Sequence, residues 1–247
     1  MRRNQRFITS PQSGSETVDG MVTVILLSEN PGHRMKSYGP PALVRLGELS
    51  LLDMQIHTIK SCFKSFEIII CSGFDSEKII KHVKTHHSKI PIRVVENQIY
   101  QNSNSCESAR LCINNTTNDK ILLCNGDLLI KNETISLIND SHSCVLVEKS
   151  PTQGMEIGVT CNKKDEAENF CFGISNVWSE ITFLNSRETV ESFRKIVSSV
   201  DYKNKFVFEA LNDLIKTRHK LKIIENETPV IKIDNIKTYH NTVRESS

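Results

Sequence analysis

Lys120-Ile121-Leu122-Leu123-Cys124, followed at once by Asn125-Gly126-Asp127, decides how this chain is read. A short apolar run bounded by a turn is a buried strand. Gly126 lets a ligand come close, and open α/β sheets place their chemistry at the carboxyl ends of strands. Two other stretches have the same form. Val230-Ile231-Lys232-Ile233 ends on a second carboxylate, Asp234, and Val22 to Leu27 runs into Ser28-Glu29-Asn30-Pro31-Gly32-His33-Arg34. A Gly-containing turn offers backbone N–H groups to phosphate, and an Arg two residues on pairs with phosphate oxygens bidentately. Taken singly, each reads equally well as a capped turn or a loop Gly beside a surface Arg. Together they read as a site for a nucleotide and a divalent metal.

Outward from these strands the chain alternates short apolar runs with amphipathic helices, which implies βαβ units and a mostly parallel sheet. Leu52, Ile56, Ile59 and Phe63 form the inner stripe of a first helix. Strands are expected at Glu67 to Cys71 and at Ile92 to Val95, with Ile79, Ile80 and Val83 on the helix between them. A helix over Ser105 to Ile113 takes Ser105 as its N-cap. A short helix near Thr134 to Ile138 and a strand at Cys144 to Val147 follow. Strands at Glu156 to Cys161 and Asn169 to Ser175 come in succession and imply an antiparallel excursion. Helices at about Arg187 to Val200 and Phe206 to Arg218 precede strands at Leu221 to Ile224 and Val230 to Ile233. Residues 1–20 read as a disordered polar tail and 21–247 as a single domain.

With 31 Lys and Arg against 29 acids, the net charge of +2 marks no nucleic-acid surface. No apolar stretch approaches the roughly 20 residues of a membrane span. The eight cysteines form no Cys-x-x-Cys pair and mostly lie in apolar runs, which fits buried thiols in a reducing, cytoplasmic setting. His82 and His86 stand four apart with His87 adjacent, but no Cys or carboxylate lies near them in the chain, so they read as a solvated helix face. The dinucleotide fingerprint Gly-x-Gly-x-x-Gly is absent, which disfavours NAD.

The loop after the first strand is followed by Pro40-Pro41-Ala42-Leu43-Val44 and by Gly47-x-x-Ser50-Leu51-Leu52. This series resembles the nucleotidyltransferase family, the sugar-phosphate nucleotidylyltransferases and phosphocholine cytidylyltransferases, over about Met21 to Tyr239. The likeness is greatest to the phosphocholine branch, where an Asn, a Tyr, an Asn and a Ser lead a helix as Asn97, Tyr100, Asn104 and Ser108 do here. It implies a Rossmann-like three-layer α/β/α fold with a mixed, mostly parallel central sheet. It also implies an Mg²⁺-dependent enzyme, with an NTP as donor and a phosphorylated small molecule as acceptor. Asp127 and Asp234 then correspond to the Mg²⁺ ligands and, with Arg34, to the catalytic set. Leu27, Ser28, Asn30, Gly32 and Arg34 correspond to the triphosphate turn, Gly73 and Asn104 to base-reading positions, and Glu209 to the acceptor pocket or a solvated helix face.

Two departures from the family pattern stand out. Its Ala-Ala-Gly is Ser28-Glu29-Asn30, and its Pro-Lys is Pro40-Pro41, which supplies neither a charge nor an N–H. Lys36, Arg45 or Lys149 would have to reach that space from elsewhere. These departures keep open a binding or structural module of the same fold, working in a larger assembly. A glycosyltransferase of related fold is disfavoured because Asn125 stands where Asp-x-Asp would begin.

Overall fold

Residues 18–149 and 156–245 are described by a computed structural model of the chain. Its first half is β1 (Val22–Ser28), β2 (Arg45–Leu46), β3 (Leu49–Ser50), α1 (Leu51–Cys62), β4 (Phe66–Ser72), α2 (Ser76–His86), β5 (Ile92–Glu96), α3 (Ser105–Ile113), β6 (Lys120–Asn125), β7 (Leu128–Leu129) and α4 (Asn132–Ile135). The second half is β8 (Cys144–Lys149), β9 (Ile157–Cys161), β10 (Ala167–Phe172), β11 (Asn176–Asn185), α5 (Arg187–Val197), α6 (Val207–Lys216), β12 (Lys222–Glu225), β13 (Ile231–Lys232) and α7 (Ile236–Glu245).

The body of the central sheet runs β5-β4-β1-β6, all parallel. β11 then joins β6 antiparallel, and β8, β9, β10 and β12 extend the sheet beyond it. This is the expected three-layer, Rossmann-like sheet with helices on both faces. β1 is buried along its whole length. Val22, Val24 and Leu26 face α1 and α2, through Leu52, Ile56, Ile59, Ile79 and Val83. Ile25 and Leu27 face α3, α5 and α6, through Cys106, Ala109, Val190, Phe193 and Leu211. Each of the Val, Leu, Ile and Phe side chains among these, taken out of water, contributes roughly 1.5–3 kcal/mol. Thr23, the one polar break in β1, bonds the Glu67 carboxylate at 2.8 Å and the Thr116 hydroxyl at 2.8 Å, so its burial is satisfied.

Several expectations meet a different structure. Asn104, not Ser105, is the N-cap of α3; the Ser105 hydroxyl instead accepts from the Val207 N–H at 3.0 Å and ties α3 to α6. The sequence reading omits β11, the longest strand described, because Asn176 to Asn185 carries no sustained alternation. β13 lies outside the main sheet, paired antiparallel with β7. His82 and His87 are not solvated: both bond Asp53 of α1, whose sequence distance hid it. Of residues 1–20 only 18–20 are described, and Val18 is buried in the core; the rest lies outside the described residues. Among the described residues no helix is long and apolar enough to cross a membrane.

Candidate functional site

In the order β5-β4-β1-β6 the chain steps one way from β1 and then returns to its other side, so the loops after β1 and β6 part at a topological switch point. There they are pinned together. The Gly126 N–H donates to the Leu27 carbonyl at 2.7 Å. A Cβ on Gly126 would fall inside the Ser28 hydroxyl, so the turn before Asp127 depends on having no side chain there. Gln55 of α1 supports this turn from below, donating to the carbonyls of Asn125 (3.1 Å) and Leu128 (2.8 Å).

The β7–β13 ribbon brings the second carboxylate to the first. The Ile233 N–H donates to the Asp127 carbonyl at 2.8 Å, and Asp234 follows immediately. Asp234 also fixes the first loop, because its carbonyl accepts from the His33 N–H at 2.6 Å. Gly32, at φ 71°, lets that strand approach, since a Cβ there would meet the Asp234 carbonyl at 2.9 Å.

Asp127 Oδ1 is buried and has no hydrogen-bond partner. Burial pushes the Asp127 carboxyl up to about 7; Lys232 opposes this, while Glu180 and Asp234 add to it. The Lys232 ammonium sits 2.6 and 2.8 Å from the two Glu180 oxygens. Although desolvation disfavours its charge, the Glu180 and Asp127 carboxylates raise its pKa and keep it protonated. Glu180 reaches this position through a bulge in β11 between Trp178 and Thr182, where its backbone is left-handed at φ 58°. Asn125 donates to the same carboxylate. An orphaned buried oxygen beside a second carboxylate, in an oxygen-only donor set, fits a hard divalent cation that takes one or two carboxylates and completes its shell with phosphate and water. Asp127 and Asp234 would hold it.

Asp127, Glu180, Lys232 and Asn125 line a cavity of about 290 Å³. Leu27, Ser28, Asn30, Asn104 and Pro41 line it with them. Its far wall is aromatic: Phe172, Trp178, Phe206 and Phe208. Phe206 stacks on Phe208 at 6.0 Å between centroids, and Phe172 meets Phe208 edge-on at 5.8 Å. Gly32, Arg34, Gly73, Asp234 and Glu209 do not line the cavity; Asp234 acts on Asp127 only as a nearby charge. Arg34 is exposed with a left-handed backbone (φ 58°), and Gly73 is tight against the Glu29 carbonyl and the Tyr100 ring. Glu209 caps α6, accepting from the Phe206 N–H at 2.8 Å. Of the cations weighed for the place of the family Lys, Lys149 pairs with Glu225 and Arg45 bonds the Glu48 carbonyl, and neither they nor Lys36 line the cavity; among the described residues Lys232 is the one cation in the lining. Sequence reasoning passed over Lys232 and Glu180.

The fold is that of nucleotidyltransferases. CTP:phosphocholine cytidylyltransferase from Streptococcus pneumoniae superposes with a TM-score of 0.76 at 18% identity, over 92% of this chain and 99% of that one. A putative glucose-1-phosphate thymidylyltransferase from Bacillus anthracis gives 0.74 at 12% identity, over 92% and 95%. The inositol-1-phosphate CTP transferase of T. maritima gives 0.72 at 14%, over 93% and 97%. No curated protein matches the chain. Residues 48–184, more than half of the 247, match the family described as "Domain of unknown function (DUF6564)", and the chain belongs to that family.

Proposed function

We propose that this protein is an Mg²⁺-dependent nucleotidyltransferase that moves a nucleotidyl group from CTP or UTP/dTTP to a phosphorylated small molecule. The carrying observation is the partnerless Asp127 Oδ1 in the lining of a cavity with polar residues and an aromatic wall, with Asp234 near enough to raise the Asp127 carboxyl further. An oxygen of the acceptor phosphate attacks the α-phosphorus, a new P–O bond forms, and the α–β phosphoanhydride breaks to release pyrophosphate. The bound Mg²⁺ would neutralise phosphate charge. The chain's own residues do the rest by positioning. Lys232 presents a fixed positive charge, held by Glu180, to the same phosphates. The first loop, at Ser28 and Asn30, borders the triphosphate, and Asn104 borders the base.

The aromatic wall favours phosphocholine over a sugar phosphate as acceptor, because ring faces attract a quaternary ammonium by cation–π interaction. The S. pneumoniae structure named above is that of a CTP:phosphocholine cytidylyltransferase, which supports this choice. Incubation with Mg²⁺, each of the four NTPs, and phosphocholine or sugar phosphates, with pyrophosphate as readout, tests the proposal. Release with one NTP–acceptor pair, lost in Asp127→Ala, is expected; no release from folded protein overturns it.

A second reading is favoured by one observation. Lys232, the sole cation of the lining among the described residues, is already paired with Glu180, and Pro41 lines the cavity where the family Lys would act. This reading is a nucleotide-binding module without turnover. Mg²⁺-linked nucleotide binding in calorimetry, with no pyrophosphate formed, identifies it.

A further inference from the structure

On the opposite side of α1 from the cavity turn, Asp53 faces two histidines of another helix. His82 Nε2 lies 2.7 Å and His87 Nε2 2.6 Å from the same oxygen, Asp53 Oδ1. The other oxygen, Oδ2, is fully engaged, accepting from the Ser50 N–H at 2.9 Å and the Ser50 hydroxyl at 2.6 Å in the capping box of α1. The carboxylate is thus fixed in orientation with one oxygen left for the imidazoles, the arrangement by which an outer shell sets a metal ligand. The side chains of Asp53, His82 and His87 are 13%, 18% and 8% exposed, and the three ligand atoms lie within 4.8 Å of one another. The exposed ring of His86 stands 4.7 Å from that of His82, between centroids.

From this convergence we propose that Asp53, His82 and His87 form a Zn²⁺-type metal site, separate from the Asp127–Asp234 pair, with water in the fourth position. Two imidazoles and one carboxylate suit zinc or a neighbouring late transition metal and discriminate against Mg²⁺. Ligand atoms around zinc are spaced roughly 3.3 Å apart. The present 2.6–2.7 Å separations therefore open by less than about 1 Å, within the reach of side-chain rotation. The site would clasp the carboxyl end of α2 to the amino end of α1.

The test uses the full chain stripped with chelator, at pH 7.5 with millimolar Mg²⁺ present. Zn²⁺ is titrated by calorimetry, and Co²⁺ is followed by its visible absorption. One equivalent per chain is expected, and Mg²⁺ should not displace it. His82→Gln and His87→Gln should each weaken binding by at least about tenfold. Glutamine still donates a hydrogen bond to Asp53, so a clasp made only of hydrogen bonds survives these changes while a metal site does not; circular dichroism confirms that the variants fold. His57→Gln, on the exposed face of α1, should bind as the parent does. No stoichiometric binding by the folded parent, or unchanged affinity in the His82→Gln/His87→Gln double variant, overturns the proposal. Because the readout is metal binding, it stands or falls independently of transferase activity.

Discussion

The Asp127 carboxyl, raised by burial to about 7, holds its proton in the folded chain far above the range near 3.9 where an unfolded Asp titrates. Its contribution to stability is therefore complete below about pH 4 and is lost as pH rises to about 7. Asp127→Asn removes the charge, so thermal melting of the metal-free protein should flatten over this window. At pH 8 the variant should melt a few degrees higher than the parent, since 1 kcal/mol moves a domain of this size by roughly 2–4 °C. Pyrophosphate release by the same variant should fall more than about hundredfold. At Gly126 the outcome is steric. Gly126→Ala drives a methyl into the Ser28 hydroxyl, and adding Ser28→Ala should restore part of the lost melting temperature, because the obstructing atom is gone. Both acids and Gly126 were visible in the sequence as strand-end residues. Lys232 was not, because a Lys between two Ile residues reads as the solvent side of a strand until β7 is seen to turn it inward.

Among the elements, α1 has two separate duties. Its first turn carries the Ser50–Asp53 capping box, and one turn on, Gln55 satisfies two carbonyls of the β6–β7 turn. Gln55→Ala leaves those carbonyls short of a donor, at about 1–3 kcal/mol for each buried group left unpaired. A drop in denaturant midpoint with an unchanged m-value would check this. The apolar stripe that builds α1 was legible because Leu52, Ile56 and Ile59 recur at helical spacing. β11 was not: its register shifts at Glu180, and a bulge breaks the two-residue period on which strand reading depends. The same bulge sends Glu180 into the site, so the missed strand and the missed site residue have one cause.

For the molecule as a whole, the switch-point sheet and its two faces followed from the order of apolar runs alone, since parallel strands joined by helices leave few ways to connect. What joins distant parts did not follow, because Asp53 to His87 or Glu180 to Lys232 are pairings that no local pattern encodes. At whole-molecule scale the proposed activity predicts linkage. Mg²⁺ with the matching NTP at a hundred times its Kd should add about 2.7 kcal/mol to stability. That corresponds to a rise in melting temperature of roughly 5–10 °C. The mismatched NTPs should raise it less, so thermal shift ranks the bases before any acceptor is known.

Trp178 is the only tryptophan in the chain, and its indole, donating to the Ile181 carbonyl at 3.2 Å across the bulge, forms part of the aromatic wall. The protein consequently carries its own optical probe at the point where an acceptor would sit. Emission excited at the indole band reports on that wall and nowhere else, so filling of the proposed acceptor end can be followed without label, mutation or turnover.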